Sequence, residues 1–414
     1  MPTAEEILNG LIGINGFVVD TEHVFFDTTS KTVRLMIKPA VSDKAICDGC
    51  GCACESIKDR RERGFRDLAA FSWMVQIIVL KRRVICPRCG IRSERLPFAD
   101  GRSNFCKRFE ITVFADCRSE PVAQIARRHE ISWDQAALIE RKYLEAWNRW
   151  RGPLRAVEWL GVDEICFGNY SRMYTIVSDL KNGSVIGLID GHQTASLDAF
   201  FTQAGESFCN GVKVVCMDMW KAYRQSVSAY CRNAKIIYDK FHIIRHLNNA
   251  LDEVRRAEFF RKSKEQRELM CGKRWLLLRR WFNLTTPQKG LLKEVFTINT
   301  RLSKAHYLKE IFGELWGYRS RPWALKFLQR WEQELRWQRL KPFKKFLEMV
   351  KKHLEGILNY CDTKIPLGLV ESINGKIKSI IRQTRGFLDI KHGALKIMFM
   401  TDSKALEFLK VIHT

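Results

Sequence analysis

Residues 157–167 read VEWLGVDEICF, residues 172–180 read RMYTIVSDL, and residues 183–190 read GSVIGLID. All three runs are largely apolar and contain several β-branched residues, which is typical of strands. Residues 179–183, DLKNG, hold a turn signal of the Asn-Gly type between the second and third runs. The sequence therefore predicts three strands in succession, the last two joined by a tight hairpin.

Beyond residue 190, predicted helices and strands alternate along the chain. A helix is expected over residues 196–203, and residues 212–218, VKVVCMD, read as the next strand. Residues 220–230, WKAYRQSVSAY, predict a second helix, and residues 234–239, AKIIYD, predict a further strand. This alternation is typical of an α/β domain.

Two aspartates lie within or at the end of these apolar strands. Asp163 lies inside the first strand, where burying a charge costs free energy unless it is paired or bound to a metal. Asp218 ends the strand VKVVCMD, so its side chain is expected at a strand tip. Neighbouring strands can bring the two carboxylates together. Glu164 is a rival for Asp163, and a strand-end aspartate can also serve only as a cap or turn residue.

Residues 369–382, LVESINGKIKSIIR, predict an amphipathic helix near the end of the chain. Its polar face repeats at i, i+3, i+7 and i+11, through Glu371, Asn374, Lys378 and Arg382. Its apolar face consists of Val370, Ile373, Ile377, Ile380 and Ile381. We expect the apolar face to lie on the sheet, so that the first turn presents Glu371 to the two aspartates.

Three converging carboxylates without histidine or cysteine suit hard, oxygen-preferring ions such as Mg²⁺ or Mn²⁺. Two such ions, ~3.5–4 Å apart, activate a water or a DNA 3′-hydroxyl and stabilise the leaving oxygen in an in-line displacement at phosphorus. We therefore predict Asp163, Asp218 and Glu371 as catalytic and metal-binding residues. Other strand-end aspartates are rivals: Asp179, Asp190 and Asp239.

The N-terminal region contains two CxxC pairs, Cys47 with Cys50 and Cys86 with Cys89, out of 14 cysteines. Structural disulfides are rare in a cytoplasm, so paired spacing indicates a metal. Four thiolates suit a closed, structural Zn²⁺ site, and residues 73–85, WMVQIIVLKRRVI, predict a strand leading into the second pair. This indicates a zinc-ribbon-like region. Cys52 and Cys54 are close enough to compete as ligands, and unmetallated buried thiols are the alternative.

Residues 121–129 and 133–147 predict two short helices separated by a break at 130–132, with Ser119 as the N-cap of the first. This is the arrangement of a DNA-reading helix-turn-helix, although a purely structural helical hairpin has the same pattern. The expected DNA contacts are Arg127, Arg128, Gln135 and Arg141. The expected core consists of Ile125, Ala126, Ile131, Ala137, Leu138 and Ile139.

Charge and hydropathy restrict the possible partners. Lys+Arg number 70 against 46 Asp+Glu, a net charge of +24, which favours a polyanionic partner: nucleic acid before an acidic membrane surface. No apolar run approaches the ~18–20 residues of a membrane span, and the N-terminus lacks the pattern of a secretory signal. We therefore expect a cytoplasmic protein with no membrane partner.

Residues 246–360 are basic and helical in period, and contain six tryptophans. Their cations suit phosphate groups, but any one of them can equally belong to a solvated helix face. Trp323, Phe327 and Trp331 recur at i, i+4 and i+8, and we expect this stripe to be core and not a platform for stacking bases.

Several stretches together resemble the DDE transposases of bacterial insertion sequences, specifically the ISL-three group. They are GVDEICFGN followed by YTIVSDL, VVCMDMWKAYRQSV, AKIIYDKFHIIRHLNNALDEVRR and LVESINGKIKSIIRQTRGF. The CxxC pairs resemble the zinc region of that group, and ARRHEISWDQA resembles its helix-turn-helix. The resemblance implies an RNase H-like core in which Asp163, Asp218 and Glu371 are the DDE triad, a large helical insertion before the glutamate, and recognition of terminal inverted repeats.

The combined prediction is an α+β multidomain chain. Residues 1–100 form the zinc-binding domain, 101–152 the helix-turn-helix, 153–245 the first part of the core, 246–360 the insertion, and 361–414 the closing helix and tail. The expected activity is metal-dependent cleavage and strand transfer of double-stranded DNA, both inverted repeats and target. We expect a homodimer on DNA, associated with the bacterial nucleoid.

Three further points complete the prediction. Asn374, Lys378 and Arg382 are expected to contact DNA. Asp239 and His242 either support the active site or contact DNA, or instead accompany the packing of Phe241. The alternative functions are a zinc-ribbon and helix-turn-helix regulator with an inactive core, and a plain nuclease of the same fold.

Overall fold

The structure is a computed structural model that describes residues 3–40, 44–101, 103–167, 172–366, 368–384 and 389–413. The chain divides into two compact units. Met1–Trp150 together with Lys404–Thr414 form the N-terminal unit, and Arg151–Ser403 form the core unit. The last eleven residues thus group with the N-terminal unit, separately from the rest of the predicted segment 361–414.

The N-terminal unit begins with a helix and a mainly antiparallel sheet. Its elements are α1 (Ala4–Ile12), β1 (Phe17–Asp27), β2 (Thr32–Pro39), β3 (Ala45–Ile46), β4 (Ala53–Cys54), β5 (Ile57–Arg66), β6 (Met74–Cys86) and β7 (Gly90–Ser93). The sheet order is β1-β2-β6-β5, with β7 paired to β6, while β3 and β4 form a separate pair. In the described part of this unit β2 and β6 pair in parallel, and the other strand pairs are antiparallel. The predicted strand over 73–85 is confirmed as β6.

Strand β6 contributes to two separate cores. Its first half buries Val75, Ile77 and Val79 in the core of the five-stranded sheet. Its last residues, Val84 and Cys86, pack in a second small core around the cysteines. The buried residues have odd numbers in the first core and even numbers in the second. Because alternate residues face opposite sides of a strand, the two cores lie on opposite faces of β6. The segment between the two cores is more exposed and carries three consecutive cations, at positions 81–83.

Three helices follow the sheet: α2 (Lys107–Asp116), α3 (Val122–Arg128) and α4 (Trp133–Trp150). The predicted helices and the break between them are confirmed. The Ser119 cap was wrong, because Pro121 occupies the N-cap position and the Ser119 hydroxyl donates to the Asp116 carbonyl at 3.0 Å. Pro121 supplies an extended backbone there without a side-chain cap.

The predicted core of the two helices is confirmed in part. Ile125, Ala126 and Ile139 are buried, whereas Leu138 is 69% exposed and its prediction as core was wrong. The buried stripe of α4 includes Ala136, Ile139 and Tyr143, in steps of three and four residues. Leu138 lies two residues after Ala136, about 200° around the helix, and therefore faces away from the core.

The core unit contains a five-stranded mixed sheet. Its strands are β8 (Trp159–Phe167), β9 (Arg172–Asp179), β10 (Ser184–Asp190), β11 (Val214–Met217) and β12 (Lys235–Tyr238), in the order β10-β9-β8-β11-β12. β8, β9 and β10 are antiparallel, and β11 runs parallel to both β8 and β12. The five predicted strands are confirmed. The predicted turn is also present, with Gly183 at φ 65°.

Three helices connect the strands: α5 (Thr194–Ala204), α6 (Glu206–Gly211) and α7 (Lys221–Tyr230). Leu197 and Phe201 of α5 and Tyr223 of α7 are fully buried in the main core, together with Val162 and Met217 of the sheet. Residues at odd positions of β8 therefore point to the opposite face of the sheet.

A series of helices follows β12. They are α8 (Lys240–Phe259), α9 (Lys264–Met270), α10 (Arg274–Leu278), α11 (Thr286–Ile298), α12 (Thr300–Phe312), α13 (Arg321–Arg336), α14 (Lys341–Lys352) and α15 (Leu354–Thr363), with short 3-10 turns at Trp281–Asn283 and Gly313–Gly317. Helix α8 starts directly after β12 and continues past the predicted boundary at 245. Trp331 and Phe327 are buried as predicted. Trp323 is 57% exposed, which corrects its assignment to the core.

The chain ends with α16 (Gly368–Thr384), α17 (Ile390–Thr401) and α18 (Ala405–His413). The predicted amphipathic helix is confirmed as α16, which buries Val370, Ile373, Ile377 and Ile380. Helix α17 packs against β10, and α18 packs against α2 and α4 within the N-terminal unit. No helix in the described part of the chain is both long and apolar enough to cross a membrane.

Candidate functional site

Three aspartates form one row across neighbouring parallel strands. The register places residues 162, 217 and 238 side by side in β8, β11 and β12. The residues that follow them are Asp163, Asp218 and Asp239. Neighbouring strands lie ~4.8 Å apart, and residues in one row of a parallel sheet point to the same face. The sheet thus brings three carboxylates together on the face opposite Val162 and Met217.

His242, in the first turn of α8, lies among these three carboxylates. Its Nδ1 is 3.0 Å from Oδ2 of Asp218, in an ion pair that is not aligned as a hydrogen bond. Its Nε2 is 3.8 Å from Oδ1 of Asp163 and 4.0 Å from Oδ2 of Asp239. Asp239 is the N-cap of α8 and accepts the backbone N–H of Phe241 at 3.0 Å. The cap therefore fixes the helix turn that carries His242.

The charges of this cluster shift one another's pKa values. Burial lowers the pKa of His242, but the carboxylates of Asp218, Asp163 and Asp239 outweigh burial and raise it above its ordinary value. Burial, with help from its two carboxylate neighbours, raises the pKa of Asp239 to about 6. Burial also opposes ionisation of Asp218, yet His242 brings its pKa below the ordinary value. Three carboxylates in so small a space favour a positive charge among them.

Helix α16 contacts the row through Asn374. The Nδ2 amide of Asn374 donates a short hydrogen bond to Oδ2 of Asp163. The other oxygen of Asp163 accepts the backbone N–H of Glu164 at 2.8 Å, so both oxygens have a donor. Leu369, at the start of α16, packs with Trp159, Val214 and Ile237. The polar stripe predicted for this helix therefore faces the aspartates, at least at Asn374.

Glu371 lies one turn before Asn374 on the same stripe, in the first turn of α16, and is exposed. Residues three apart on a helix have Cβ atoms about 5–6 Å apart. Among the described residues, no hydrogen bond or ion pair joins Glu371 to Asp163 or Asp218, and the three carboxylates do not all come within 4.8 Å of one another. The structure thus places the aspartates on one face of the sheet and Glu371 one helical turn before Asn374, which contacts Asp163.

The rival Glu164 lies on the other face of β8. Its surroundings are Tyr223 and His192, and burial raises the pKa of its carboxyl. The Tyr223 hydroxyl in turn lies 3.0 Å from Oγ1 of Thr175. Asp179, another rival, accepts the backbone N–H groups of the hairpin turn at Lys181 and Asn182 and is a turn residue.

One group beside the aspartates, Arg245, was not predicted as a DNA or metal partner. Arg245, on the turn of α8 after His242, has its guanidinium 4.0 Å from Asp218. The amide of Asn374, which we expect to contact DNA, also donates to Asp163. Further along the stripe, Lys378 is exposed and Arg382 donates to the Lys378 carbonyl at 3.2 Å. The sequence does indicate that these α8 side chains lie near Asp239, because His242 and Arg245 follow it at steps of three residues, which share one face of a helix.

The second candidate site is the cysteine cluster of the N-terminal unit. The sulfur atoms of Cys47, Cys50, Cys86 and Cys89 all lie within 4.8 Å of one another. The first pair lies between β3 and β4 and the second between β6 and β7, and Gly51 (φ 74°) and Gly90 (φ 69°) supply the left-handed backbone after each pair. The predicted pairing of the two CxxC turns is confirmed.

The donor set of this cluster fits a thiophilic cation. The backbone N–H of Cys52 lowers the pKa of Cys50, and the backbone N–H of Arg88 lowers the pKa of Cys86. A hydrogen bond between Cys89 and Cys50, then burial and the nearby negative charge of Cys50, raise the pKa of Cys89 to about 12. The four sulfurs are therefore compatible with zinc. The rivals Cys52 and Cys54 lie outside this group.

The predicted DNA contacts of the helix-turn-helix differ in whether their side chains already have partners within the protein. Arg128 forms ion pairs with Glu120 and with Asp116, while Arg127 is exposed. Gln135 accepts the backbone N–H of Ser132 at 2.9 Å, and the Ser132 hydroxyl accepts the backbone N–H of Gln135 at 3.1 Å. This reciprocal capping box starts α4, and its Ser-x-x-Gln spacing is readable in the sequence.

Comparison with protein families agrees with this arrangement. A family model described as "Transposase" matches residues 160–397, from the start of β8 into α17. A second, "Helix-turn-helix domain of transposase family ISL3", matches residues 94–136. The chain belongs to the ISL3 family of DDE transposases. The predicted family resemblance is confirmed, and membership with a helix-turn-helix domain makes this a DNA-binding transposase.

Curated relatives are similar over nearly the whole chain. The transposase for insertion sequence element IS1001 of Bordetella parapertussis is 28% identical over 396 residues, covering 95% of this chain and 97% of that protein. The transposases for insertion sequence element IS1557 of two Mycobacterium tuberculosis strains, CDC 1551 / Oshkosh and H37Rv, are 23% identical over 412 residues, covering 92% of both chains.

Proposed function

We propose that this transposase cleaves and joins DNA strands at the ends of an insertion sequence, with Asp163, Asp218 and Glu371 as its metal-binding carboxylates. The observation that carries the proposal is the row of aspartates on one sheet face, together with the hydrogen bond from Asn374 of α16 to Asp163. The helix that carries Glu371 thereby faces the strands that carry the aspartates.

The strand order supports an RNase H-like core, as the family resemblance implies. Three antiparallel strands are followed by two strands parallel to the first, and the first carboxylate lies in the central strand β8. We interpret α8 to α15 as the helical insertion that separates β12 from α16. The two stay close in space although the insertion separates them, because Ile237 of β12 packs with Leu369 of α16.

The residues present fit a hard divalent ion. Their donors are carboxylate oxygens on one face, and the concentration of negative charge there favours a cation. Mg²⁺ or Mn²⁺, when bound, supplies activation of the attacking oxygen and neutralises charge on the leaving oxygen. The protein's own part is to orient the ligands. Asn374 and the backbone N–H of Glu164 fix Asp163, and the backbone N–H of Met219, at 2.6 Å, fixes Asp218.

Asp239 and His242 act as positioning residues in this proposal. Asp239 caps α8 and so fixes the turn that holds His242 between the two catalytic aspartates. His242 counters their mutual repulsion, since its imidazole lies within 4.0 Å of all three carboxylates. Arg245 adds a second positive charge next to Asp218. These groups keep the aspartates close in the metal-free protein.

DNA recognition is assigned to the N-terminal unit, with α4 as the helix that enters the major groove. We propose structural zinc at Cys47, Cys50, Cys86 and Cys89, since four thiolates leave no open coordination position. The partner is double-stranded DNA with the element's inverted repeats, inside the bacterial host. A homodimer on paired ends remains a prediction, which light scattering of the protein–DNA complex tests.

The experiment that tests the proposed function uses the full chain, Mg²⁺ and DNA that flanks its own gene, followed by sequencing of the products. We expect breaks at the element ends and new junctions to target DNA, both dependent on Mg²⁺. Breaks without junctions favour a plain nuclease. Specific binding without any breaks favours a regulator with an inactive core, and contradicts the proposal.

A further inference from the structure

The hairpin of β5 and β6 carries cations directly opposite one another. Arg60 faces Arg82, and Arg61 faces Lys81, across the antiparallel pair. Like charges at opposed positions destabilise a sheet. Such pairs therefore need neutralisation, either from carboxylates in the chain or from a partner.

One of the two pairs is neutralised internally. The Nε of Arg82 donates to the buried carboxylate of Glu94 at 2.7 Å, and the neighbouring Arg83 pairs with Asp59. Among the described residues, no ion pair includes Arg61 or Lys81. This second pair therefore lacks the direct neutralisation that Glu94 gives to Arg82.

A third cation joins this pair on the same face of the hairpin. Arg63 lies two residues from Arg61, and residues two apart on a strand share a face. It is the diagonal neighbour of Lys81, and after burial its charge is the main cause that lowers the pKa of Lys81. Hydrogen bonds to the Ser103 carbonyl at 3.3 Å and to Asn104 Oδ1 at 3.2 Å hold its guanidinium. Three cations thus converge, and no ion pair among the described residues includes any of them, although Asp48 and Glu94 act on Lys81 from a greater distance.

The end of β5 is attached to the helix-turn-helix. Arg66 donates from Nη1 to the carbonyl of Glu130, in the turn between α3 and α4, at 2.9 Å. The backbone of Arg66 also bonds to Asn104 and Cys106, directly before α2. The strand from Arg61 to Arg66 spans roughly 17 Å. That length corresponds to about five base pairs of DNA at 3.4 Å per base pair.

We propose that Arg61, Arg63 and Lys81 form a phosphate-binding face that contacts the backbone of the same duplex that α4 reads. The contact is expected about five base pairs from the helix-turn-helix contacts, at the spacing of this strand. Phosphate contacts of this kind fix the register of a protein on DNA without reading its sequence. The inference rests on the proposed function in taking duplex DNA as the partner and α4 as the helix that reads it.

The test is the salt dependence of DNA binding by the full chain without Mg²⁺. The variant Arg61→Gln/Lys81→Gln is compared with Lys31→Gln/Lys38→Gln, which removes two charges elsewhere in the same unit. The first variant is expected to reduce the slope of log affinity against log salt by about 1.8, since each phosphate contact contributes ~0.9. The loss should be equal for end DNA and unrelated DNA, with zinc content unchanged.

Ethylation interference adds a spatial readout. Phosphates about five base pairs from the helix-turn-helix contacts should lose their interference signal in the first variant only. Equal slopes for the first variant, the control and the wild type would overturn the inference. If the double variant loses zinc, the single variant Arg61→Gln replaces it, with an expected drop in slope of about 0.9. A transposase that binds as expected but does not cleave contradicts the proposed function and leaves this inference standing.

Discussion

Asn374 donates its side-chain amide to the carboxylate of Asp163 across 211 positions of sequence. This hydrogen bond links α16, the helix of Glu371, to β8, the central strand of the core sheet. It lies beside the in-register row formed by Asp163, Asp218 and Asp239. A helix from the far end of the chain is thereby fixed at the point where the proposed metal ligands meet.

Replacing Asn374 tests whether this contact supports catalysis. Asn374→Ala should lower the cleavage rate by roughly 10–100-fold, the usual effect of removing a group that orients a metal ligand. The Mg²⁺ concentration for half-maximal activity should rise. Ser379→Ala, at an exposed position of the same helix, is the matched control. Equal loss of rate at all Mg²⁺ concentrations, with no change in the Mg²⁺ requirement, would argue against an orienting role.

The cysteine cluster predicts the zinc content of two neighbouring variants. Cys86→Ser removes one of four converging sulfurs and should release zinc and weaken binding of end DNA. Cys54→Ser changes a buried thiol next to the cluster that lies outside it, so zinc should be retained. Elemental analysis of both proteins decides the point. Unchanged zinc in Cys86→Ser, or no zinc in the wild type, would refute the assignment.

Leu138 and Ile139 are adjacent on α4 but have opposite environments, 69% and 3% exposed. Ile139→Ala should lower the free energy of unfolding by about 2–5 kcal/mol, because it opens a cavity in the core. Leu138→Ala should change stability by less than about 0.5 kcal/mol. The same variant should weaken binding to end DNA, where an exposed apolar side chain can contact thymine methyl groups. Denaturant titration measures the free energy of unfolding, and DNA titration measures the affinity for end DNA. A loss of stability in Leu138→Ala would contradict the orientation of α4.

His306 in α12 predicts acid sensitivity of the helical insertion. Burial, and then the charge of Lys309, lower its pKa to about 4. A histidine whose folded pKa is depressed contributes stability above its unfolded pKa, and that stability is lost as pH falls. We expect a loss of roughly 3 kcal/mol between pH 6.5 and pH 4.

The matched variant is His306→Phe, which keeps a ring between Trp281 and Phe296. It should remove most of the loss in stability between pH 6.5 and pH 4. Thermal unfolding followed over this pH range measures the difference, and an unchanged pH dependence in the variant would show that other groups cause it.

Much of the core was predictable from local pattern. The strands are apolar runs bounded by clear turn signals, and α16 has a regular amphipathic period. Asp163 stands out because a carboxylate rarely occurs inside such a run, whereas Asp218 shares its strand-end position with Asp179, Asp190 and Asp239. The cysteine cluster was predictable from its pair spacing. These features are determined within short windows of sequence.

Other features depend on contacts between distant segments. The helical spacing of Asp239 and His242 is visible in the sequence, but the placement of His242 next to Asp163 and Asp218 follows from the register of β8, β11 and β12, which no local pattern specifies. The exposure of Trp323 and Leu138 depends on where neighbouring helices pack. The return of α18 to the N-terminal unit likewise requires a contact between the two ends of the chain. The roles assigned to the triad and to the DNA contacts remain predictions.

The central claim is that Asp163, Asp218 and Glu371 act together in metal-dependent cleavage. The most direct measurement compares Mg²⁺-dependent cleavage of end DNA by the wild type, Asp218→Asn, Glu371→Gln and Glu164→Gln, each with its DNA affinity. We predict that Asp218→Asn and Glu371→Gln bind DNA normally and do not cleave, whereas Glu164→Gln, on the other face of β8, still cleaves. Cleavage at the wild-type rate by Glu371→Gln or Asp218→Asn would contradict the claim.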